Sequence, residues 1–138
     1  MILKCYNNLK FSGEITKVKE AINYAKEYLK LIATDIEIPY KGSLSYLTSV
    51  EPNITGIKRI ALQFNLDFGI YYDSKEGKMI GDVTYKDGQL TITELDSAEY
   101  EQIKYNEQTK LYSFRGGYAS DNNKFLLMLL LEKVLRNL

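Results

Sequence analysis

The clearest pattern in the chain is the alternation of apolar and polar positions between Ile60 and Tyr72. Every even-numbered position there is apolar, and most odd-numbered positions are polar or small. A period of two is typical of a strand with one buried face. A strand over the whole of 60–72 would span ~43 Å at about 3.3 Å per residue, which exceeds the usual strand length. The pattern therefore predicts a long strand that bends or breaks at Asn65 or Gly69.

A second pattern predicts an amphipathic helix over residues 14–32. Its apolar positions recur at spacings of three and four, which places them on one helix face. They are Ile15, Val18, Ile22, Ala25, Leu29 and Ile32. Ser12 is the expected N-cap, and Glu14 suits the first turn because the helix dipole favours negative charge there.

A closing helix is predicted over residues 121–137, with Ser120 or Asp121 as the N-cap. Its segment Phe125–Leu131 contains only apolar residues, so we expect a helix that is buried on every side. Sealing the core of a monomer is the preferred interpretation. Completion of a homodimer comes second, and lining an apolar cavity comes third.

The remaining segments are predicted as short strands and turns. Strands are expected at 34–38, 78–85 and 89–95, and the turn Asp87-Gly88 is a strong hairpin signal. Residues 40–55 are interpreted as a strand followed by a loop.

Residues 97–105 allow two interpretations. Strands are favoured because Tyr100, Ile103 and Tyr105 suit a sheet. The alternative is a short helix that begins at Asp96, with Glu99 completing a capping box.

Together these elements predict a single α+β domain over residues 1–138, with an antiparallel meander sheet of about five to seven strands. The sheet is expected to pack against the N-terminal amphipathic helix and the buried C-terminal helix. This order of elements resembles that of helix-grip domains such as START-like and Bet v 1-like proteins. The resemblance implies a cavity for an apolar small ligand between the sheet and the C-terminal helix.

The amino-acid composition of the 138-residue chain excludes several kinds of catalytic and metal-binding site. There is no histidine, and Cys5 is the only cysteine. The absence of histidine excludes Ser–His and Cys–His dyads and histidine-containing zinc sites, and one cysteine excludes an intramolecular disulfide. Cys5 lies in an apolar run, so a buried thiol is expected. We expect no cofactor, no metal and no catalytic residues.

Net charge and hydropathy argue against nucleic acid and membranes as partners. Eighteen basic residues balance eighteen acidic ones, which argues against a nucleic acid partner. The longest apolar run has seven residues, whereas a membrane span needs about twenty. No targeting segment is evident, so a soluble, cytoplasmic protein is expected.

One segment suggests an anion-binding turn. Two glycines flanked by basic residues precede the expected start of the last helix, and free backbone N–H groups at a helix start bind anions. The candidate residues are Arg115, Gly116, Gly117, Ser120 and Lys124. The preferred interpretation is a structural strand-to-helix turn.

Twelve tyrosines are spread along the chain. Filling the core and its rim is the preferred interpretation, and a protein interface comes next because tyrosine is enriched at interfaces. The candidate interface residues are Tyr71, Tyr100, Tyr105 and Tyr112.

These observations predict a small, non-enzymatic protein-binding protein with an accessory or inhibitory role. A Lys-, Ile-, Asn- and Tyr-rich composition is typical of AT-rich genomes, including those of viruses and mobile elements. One alternative is a carrier or sensor of an apolar small ligand. Another is binding of a nucleotide or phosphate at residues 115–124.

Overall fold

The structure is a computed structural model that describes residues 4–38, 41–49, 52–74 and 78–137. The chain divides into two compact units, Met1–Ile92 and Thr93–Leu138. Its organisation as one domain over residues 1–138 stays a prediction. None of the helices in the described ranges is long and apolar enough to span a membrane.

The described part of the chain up to Glu94 contains two helices and a six-stranded sheet, whose last strand crosses from the first unit into the second at Thr93. Its elements are β1 (Lys4–Ser12), α1 (Ile15–Leu29), β2 (Thr34–Glu37), β3 (Ser43–Ser49), α2 (Ile54–Phe64), β4 (Asp67–Ser74), β5 (Met79–Lys86) and β6 (Gln89–Glu94). The strand order is β2-β3-β1-β4-β5-β6. β1 pairs antiparallel with β3 and β4, β2 with β3, and β4 with β5. The predicted α+β class with a large antiparallel sheet is confirmed.

The order of the strands is a finding that the sequence pattern did not contain. From β1 to β4 the chain follows the order β-α-β-β-α-β, and β1 lies between β3 and β4 in the sheet. This is the split arrangement of ferredoxin-like folds, which β5 and β6 extend beyond β4. The resemblance to helix-grip domains is wrong, because a second helix, α2, separates β3 from β4.

Helix α1 forms as its periodicity predicts. Its buried face consists of Val18, Ala21, Ile22, Ala25 and Leu29. The expected N-cap is wrong, however, since the helix is preceded by Glu14 in extended conformation, without a side-chain capping bond.

The expected strand over 60–72 is wrong in its first part, because residues 54–64 form α2. The positions Ile57, Ile60 and Ala61 are buried, at a spacing that defines a helix face. Leu62, which the alternation placed on the buried side, is 58% exposed. Asn65 ends the helix in the left-handed conformation, with φ 55°, so the break is at one of the two expected positions.

Helix α2 also changes the interpretation of the segment before it. β3 occupies the strand expected within 40–55, but residues 54 and 55 begin α2 instead of lying in a loop. The side chain of Asn53 accepts a hydrogen bond from the Gly56 N–H at 3.4 Å, which caps the helix. Residues 39–40 and 50–51 lie outside the described part of the chain.

Among the polar side chains that the sheet buries, the amide of Asn7 is fully buried. The amide Nδ2 of Asn7 donates to the Cys5 carbonyl at 3.1 Å, the Tyr46 carbonyl at 3.3 Å and Thr48 Oγ1 at 3.0 Å. These bonds offset the cost of burying the amide, and those to Tyr46 and Thr48 join β1 to β3. Cys5 is fully buried, as expected.

The described part of the second unit contains a short helix, three short strands and a long closing helix. They are α3 (Ser97–Tyr100), β7 (Lys104–Asn106), β8 (Leu111–Phe114), β9 (Gly117–Ala119) and α4 (Asn123–Arg136). The three strands form a sheet in the order β7-β8-β9, and both pairs are antiparallel.

The strand favoured at the start of 97–105 is wrong, and the short helix is present instead. Asp96 Oδ1 accepts from the Glu99 N–H at 3.0 Å, and the Asp96 N–H donates to Glu99 Oε1 at 2.9 Å. This reciprocal capping box satisfies two backbone donors locally, which outweighs the modest strand preference of Tyr100. Only residues 104–106 become a strand.

Candidate functional site

Helix α4 has two apolar faces with different surroundings. Phe125, Leu126, Leu129 and Leu130 are buried, and the ring of Phe125 lies 5.4 Å from that of Phe114 on β8. The opposite residues are between 38% and 66% exposed: Leu127, Met128, Leu131 and Leu135. The helix is thus buried on one side only, although all seven residues of its central run are apolar.

The four exposed residues form one continuous surface, which we name the α4 stripe. Leu127, Leu131 and Leu135 are four residues apart, and Met128 lies beside them at a spacing of three from Leu131. Residues at these spacings are neighbours on a helix surface. Soluble proteins usually scatter exposed apolar side chains singly, and contiguous patches mark interaction sites. The α4 stripe is therefore the leading candidate surface in the second unit.

Ion pairs hold the rest of α4 within its own unit. The Nζ of Lys133 lies 2.6 Å from Glu99 Oε1 and donates to the Glu94 carbonyl at 2.7 Å. Arg115 donates two hydrogen bonds to Glu132, at 2.5 and 3.0 Å. These contacts fix the rotation of the helix, and with it the direction of the stripe.

The same contacts set the protonation of two carboxylates. The hydrogen bonds from Arg115 hold the pKa of Glu132 below its ordinary value. The backbone N–H of Glu99, followed by the charge of Lys133, holds the pKa of Asp96 below its ordinary value. Both carboxylates are therefore charged near neutral pH.

One exposed cation lies beside the stripe. Lys124, in the first turn of α4, is three residues before Leu127 and seven before Leu131, so it lies on the same side of the helix, and it forms no ion pair with a described residue. Arg136 is rotated about 100° from its neighbour Leu135 and lies 3.7 Å from Glu99. Glu132, the acidic residue of the helix, is already paired with Arg115. The stripe is thus an apolar surface with one cation beside its N-terminal end.

The structure distributes the anion-binding candidates over several elements. Arg115 is paired with Glu132 and lies 4.6 Å over the ring of Phe114. Gly116, with φ 80°, forms the turn between β8 and β9, and Gly117 begins β9. Ser120 precedes α4, and Lys124 lies in its first turn. Anion binding at this segment stays a prediction, and a nucleotide there would have to compete with Glu132 for Arg115.

The interface tyrosines lie in both units. Tyr105 and Tyr112 form a cross-strand pair on β7 and β8, with ring centroids 4.7 Å apart, and Tyr100 is half-buried on α3. Tyr71 lies on β4 in the first unit, where its hydroxyl donates to Asp73 Oδ2 at 3.3 Å. Burial, followed by the charge of Asp73, raises the pKa of Tyr71 to about 12. The structure therefore brings two of the four together, and a protein interface at these residues stays a prediction.

The sequence analysis ranked an interface on the C-terminal helix second, as a homodimer, and did not identify the exposed face, although a signal was present. One buried helix face needs about three or four apolar positions per two turns. The run Phe125–Leu131 supplies seven in two turns, which is enough for a second face.

The described residues contain no evident metal site. No group of three Cys, Asp or Glu side chains that could hold a metal ion occurs among them.

Comparison with known proteins identifies the family. Residues 33–115, more than half of the chain, match the family model of the ferredoxin-like domain in Api92-like protein. The match begins after α1 and extends from β2 through β8. No curated protein and no solved structure showed a match. The match covers β2, β3, α2 and β4 of the split arrangement but not β1 and α1. Because it covers more than half of the chain, the chain belongs to the family of ferredoxin-like domains in Api92-like proteins.

Proposed function

We propose that this is a non-enzymatic protein that binds another protein through the α4 stripe. The observation that carries the proposal is the exposed surface of Leu127, Met128, Leu131 and Leu135 on a helix whose opposite face is already buried. The fixed helix holds these apolar side chains in contact with water, and their burial by a partner lowers the free energy of the complex. The helix-in-groove mode of recognition uses such a face.

The charge beside the stripe favours a partner with an acidic rim. In a parallel pair of α4 helices, Lys124 of one copy would lie near Lys124 of the other, and like charges placed together are unfavourable at an interface. An apolar partner surface with a carboxylate near Lys124 matches the stripe in both respects.

The expected affinity follows from the apolar area. Full burial of a leucine side chain contributes about 2 kcal/mol, and these side chains are about half exposed, so each contributes about 1 kcal/mol on binding. Four such contributions are comparable to the lower estimates of the association cost. Contacts at Lys124 and at the rim are therefore needed for a stable complex.

The test compares two leucine-to-aspartate variants in capture from the native host, followed by titration of the purified partner. Leu131→Asp places a carboxylate in the stripe, and Leu62→Asp on α2 is the control, because the two leucines are 54% and 58% exposed on helices. We expect Leu131→Asp to weaken binding by at least about tenfold and Leu62→Asp to leave it unchanged. We also expect higher ionic strength to weaken the complex. Equal binding by the wild type and Leu131→Asp contradicts the proposal.

Sedimentation of the purified chain separates the two kinds of partner. We expect a monomer. A dimer that Leu131→Asp dissociates would make a second copy the occupant of the stripe, and the acidic partner would then be wrong.

The cellular setting belongs to the same proposal. A histidine-free, motif-poor chain without a candidate catalytic set supports an accessory or inhibitory role, and its composition supports a viral or mobile-element origin with a cytoplasmic location. Genes adjacent to the coding sequence provide the test, since mobile-element functions are expected there. A neighbourhood of housekeeping genes in every host would contradict this setting.

A further inference from the structure

A groove of about 500 Å³ lies in the first unit, between the end of β1 and the first half of α1. Its floor consists of the buried side chains Phe11, Val18 and Ile22. At its rim, Ile15 is 66% exposed and Ile38 is 47% exposed. The volume lies within the ~300–1,000 Å³ typical of small-molecule pockets. The groove thus offers an apolar floor of sufficient size for a small organic molecule.

The backbone beside the floor leaves little space for a further side chain. Gly42 has φ 78°, and a Cβ atom there would lie 3.3 Å from Val18 Cγ1. The N–H of Phe11 donates to the Gly42 carbonyl at 2.9 Å, which holds this glycine against β1. A larger residue at 42 would crowd Val18 and strain the backbone.

Two lysines flank the groove, Lys19 on α1 and Lys41 two residues before β3. Both are exposed, and neither forms an ion pair with a described residue. Lys10 also lines the groove, but it is the neighbour of Phe11 on β1, so its side chain lies on the opposite face of the sheet, where it lines a second groove with Asp82. No Asp or Glu is among the described residues that line the groove. The mouth of the groove therefore carries a positive potential above an apolar floor.

We propose that this groove binds a small amphipathic anion, with its hydrocarbon body on Phe11, Val18 and Ile22 and its carboxylate toward the lysines. A neutral apolar ligand would leave the positive charge of the mouth unused. A fully polar anion would leave the apolar floor exposed to water. A medium-chain fatty acid matches both parts. The proposal is independent of the α4 stripe, since every lining residue belongs to the first unit.

The first experiment titrates the protein with decanoate and with decanol, which has the same chain length and no charge. Calorimetry measures affinity, both ligands being kept below the concentration at which they aggregate. Backbone amide chemical shifts locate the site. We expect decanoate to bind at least about fivefold more tightly than decanol and to shift the amide signals of Phe11, Val18 and Gly42.

Charge reversal then tests the lysines. We expect Lys19→Glu to weaken decanoate binding about fivefold, with a larger loss when Lys41→Glu is added. Lys17→Glu is the matched control, because Lys17 is an exposed lysine on the same helix that does not line the groove. Decanol binding should be insensitive to all three changes.

Three outcomes would overturn the proposal. The first is that decanoate does not bind, or that it shifts amides elsewhere in the chain. The second is equal affinity for decanoate and decanol, which would mean that the lysines do not recognise the head group. The third is association with vesicles of anionic phospholipid without binding of free decanoate, which would make the lysines a contact for a lipid surface.

Discussion

Helices α1 and α4 are of similar length, but their apolar residues differ in how far they are buried. α1 carries one apolar face, and the positions Val18, Ala21, Ile22, Ala25 and Leu29 are buried in the core of the first unit. α4 carries apolar residues around most of its circumference and leaves Leu127, Met128, Leu131 and Leu135 exposed. The comparison teaches that apolar content predicts burial only up to the area that the surroundings can cover. Apolar residues beyond that area are available to a partner.

The largest expected effect comes from truncation of one leucine on each helix. Leu29 on α1 is fully buried, whereas Leu131 on α4 is 54% exposed. We expect Leu29→Ala to lower the free energy of unfolding by about 2–5 kcal/mol, because it leaves a cavity. We expect Leu131→Ala to lower it by less than about 0.5 kcal/mol. Urea unfolding followed by circular dichroism measures both.

Equal losses of unfolding free energy for these two variants would contradict the difference between the two helices, since they would mean that Leu131 is packed in solution. In that case the α4 stripe would be part of a core or of a permanent interface.

An intermediate effect is expected at Glu99, which joins α3 to α4. Its carboxylate completes the capping box with Asp96 and lies 2.6 Å from the Nζ of Lys133. Glu99→Ala removes both contacts, and we expect a loss of about 1–3 kcal/mol. Glu99→Gln keeps a side chain that can reach the Asp96 N–H, so its loss should be smaller.

Urea unfolding of the two Glu99 variants shows which contacts hold α4 in position. Equal losses for Ala and Gln would assign the whole effect to the ion pair with Lys133. A loss below about 0.5 kcal/mol for Glu99→Ala would show that other contacts orient the helix.

The smallest expected effect is a pH dependence of opposite sign in the two units. In the first unit, burial raises the pKa of Asp82 above its ordinary value, and the hydrogen bond from Thr84 lowers it only in part. Ionised Asp82 therefore destabilises the fold at pH values above its folded pKa, and this penalty disappears as the pH falls to the ordinary value. In the second unit the pKa of Asp96 is lowered. Its contribution is complete above the ordinary pKa and is lost as the pH falls through the folded value.

NMR titration of the two side-chain carboxyl groups checks both directions. Unfolding experiments between neutral and acidic pH then compare Asp82→Asn with Asp96→Asn. We expect Asp82→Asn to stabilise the protein slightly near neutral pH and Asp96→Asn to reduce the loss of stability in acid. Titration of both groups in the same direction would contradict this part of the comparison.

The pattern of apolar residues predicted the secondary structure correctly where only one kind of element fits the pattern. It failed where a helix and a strand both fit. The spacing in α1 fits only a helix, and its face is buried as expected. In 60–64, positions 60 and 64 share a face in a helix as well as in a strand. Contacts of Ile57, Ile60 and Ala61 with the core decide for the helix. At Asp96 and Glu99 the capping box was visible in the sequence, and its hydrogen bonds prevailed over the strand preference of Tyr100.

The candidate surfaces show the same limit. Residues 115–124 have the composition of an anion-binding turn, but the contact between Arg115 and Glu132, seventeen residues later, engages the guanidinium. No local pattern contains that pairing. The groove beside α1 is assembled from β1, α1 and the segment before β3, so its residues become neighbours only when the strands pair. The excess of apolar residues in α4 could be read from the chain, whereas the identity of the exposed face could not.

The sequence by itself determined the α+β class, the helices α1 and α4, the alternating faces of β4 and the burial of Cys5, because these depend on the period of apolar positions and on short-range contacts. The tertiary structure decided the place of β1 between β3 and β4, the end of α2 at Asn65, the exposed side of α4 and the position of two lysines beside one groove. Those features depend on contacts between residues far apart in the chain, and a periodic pattern states which residues must be buried without stating against what.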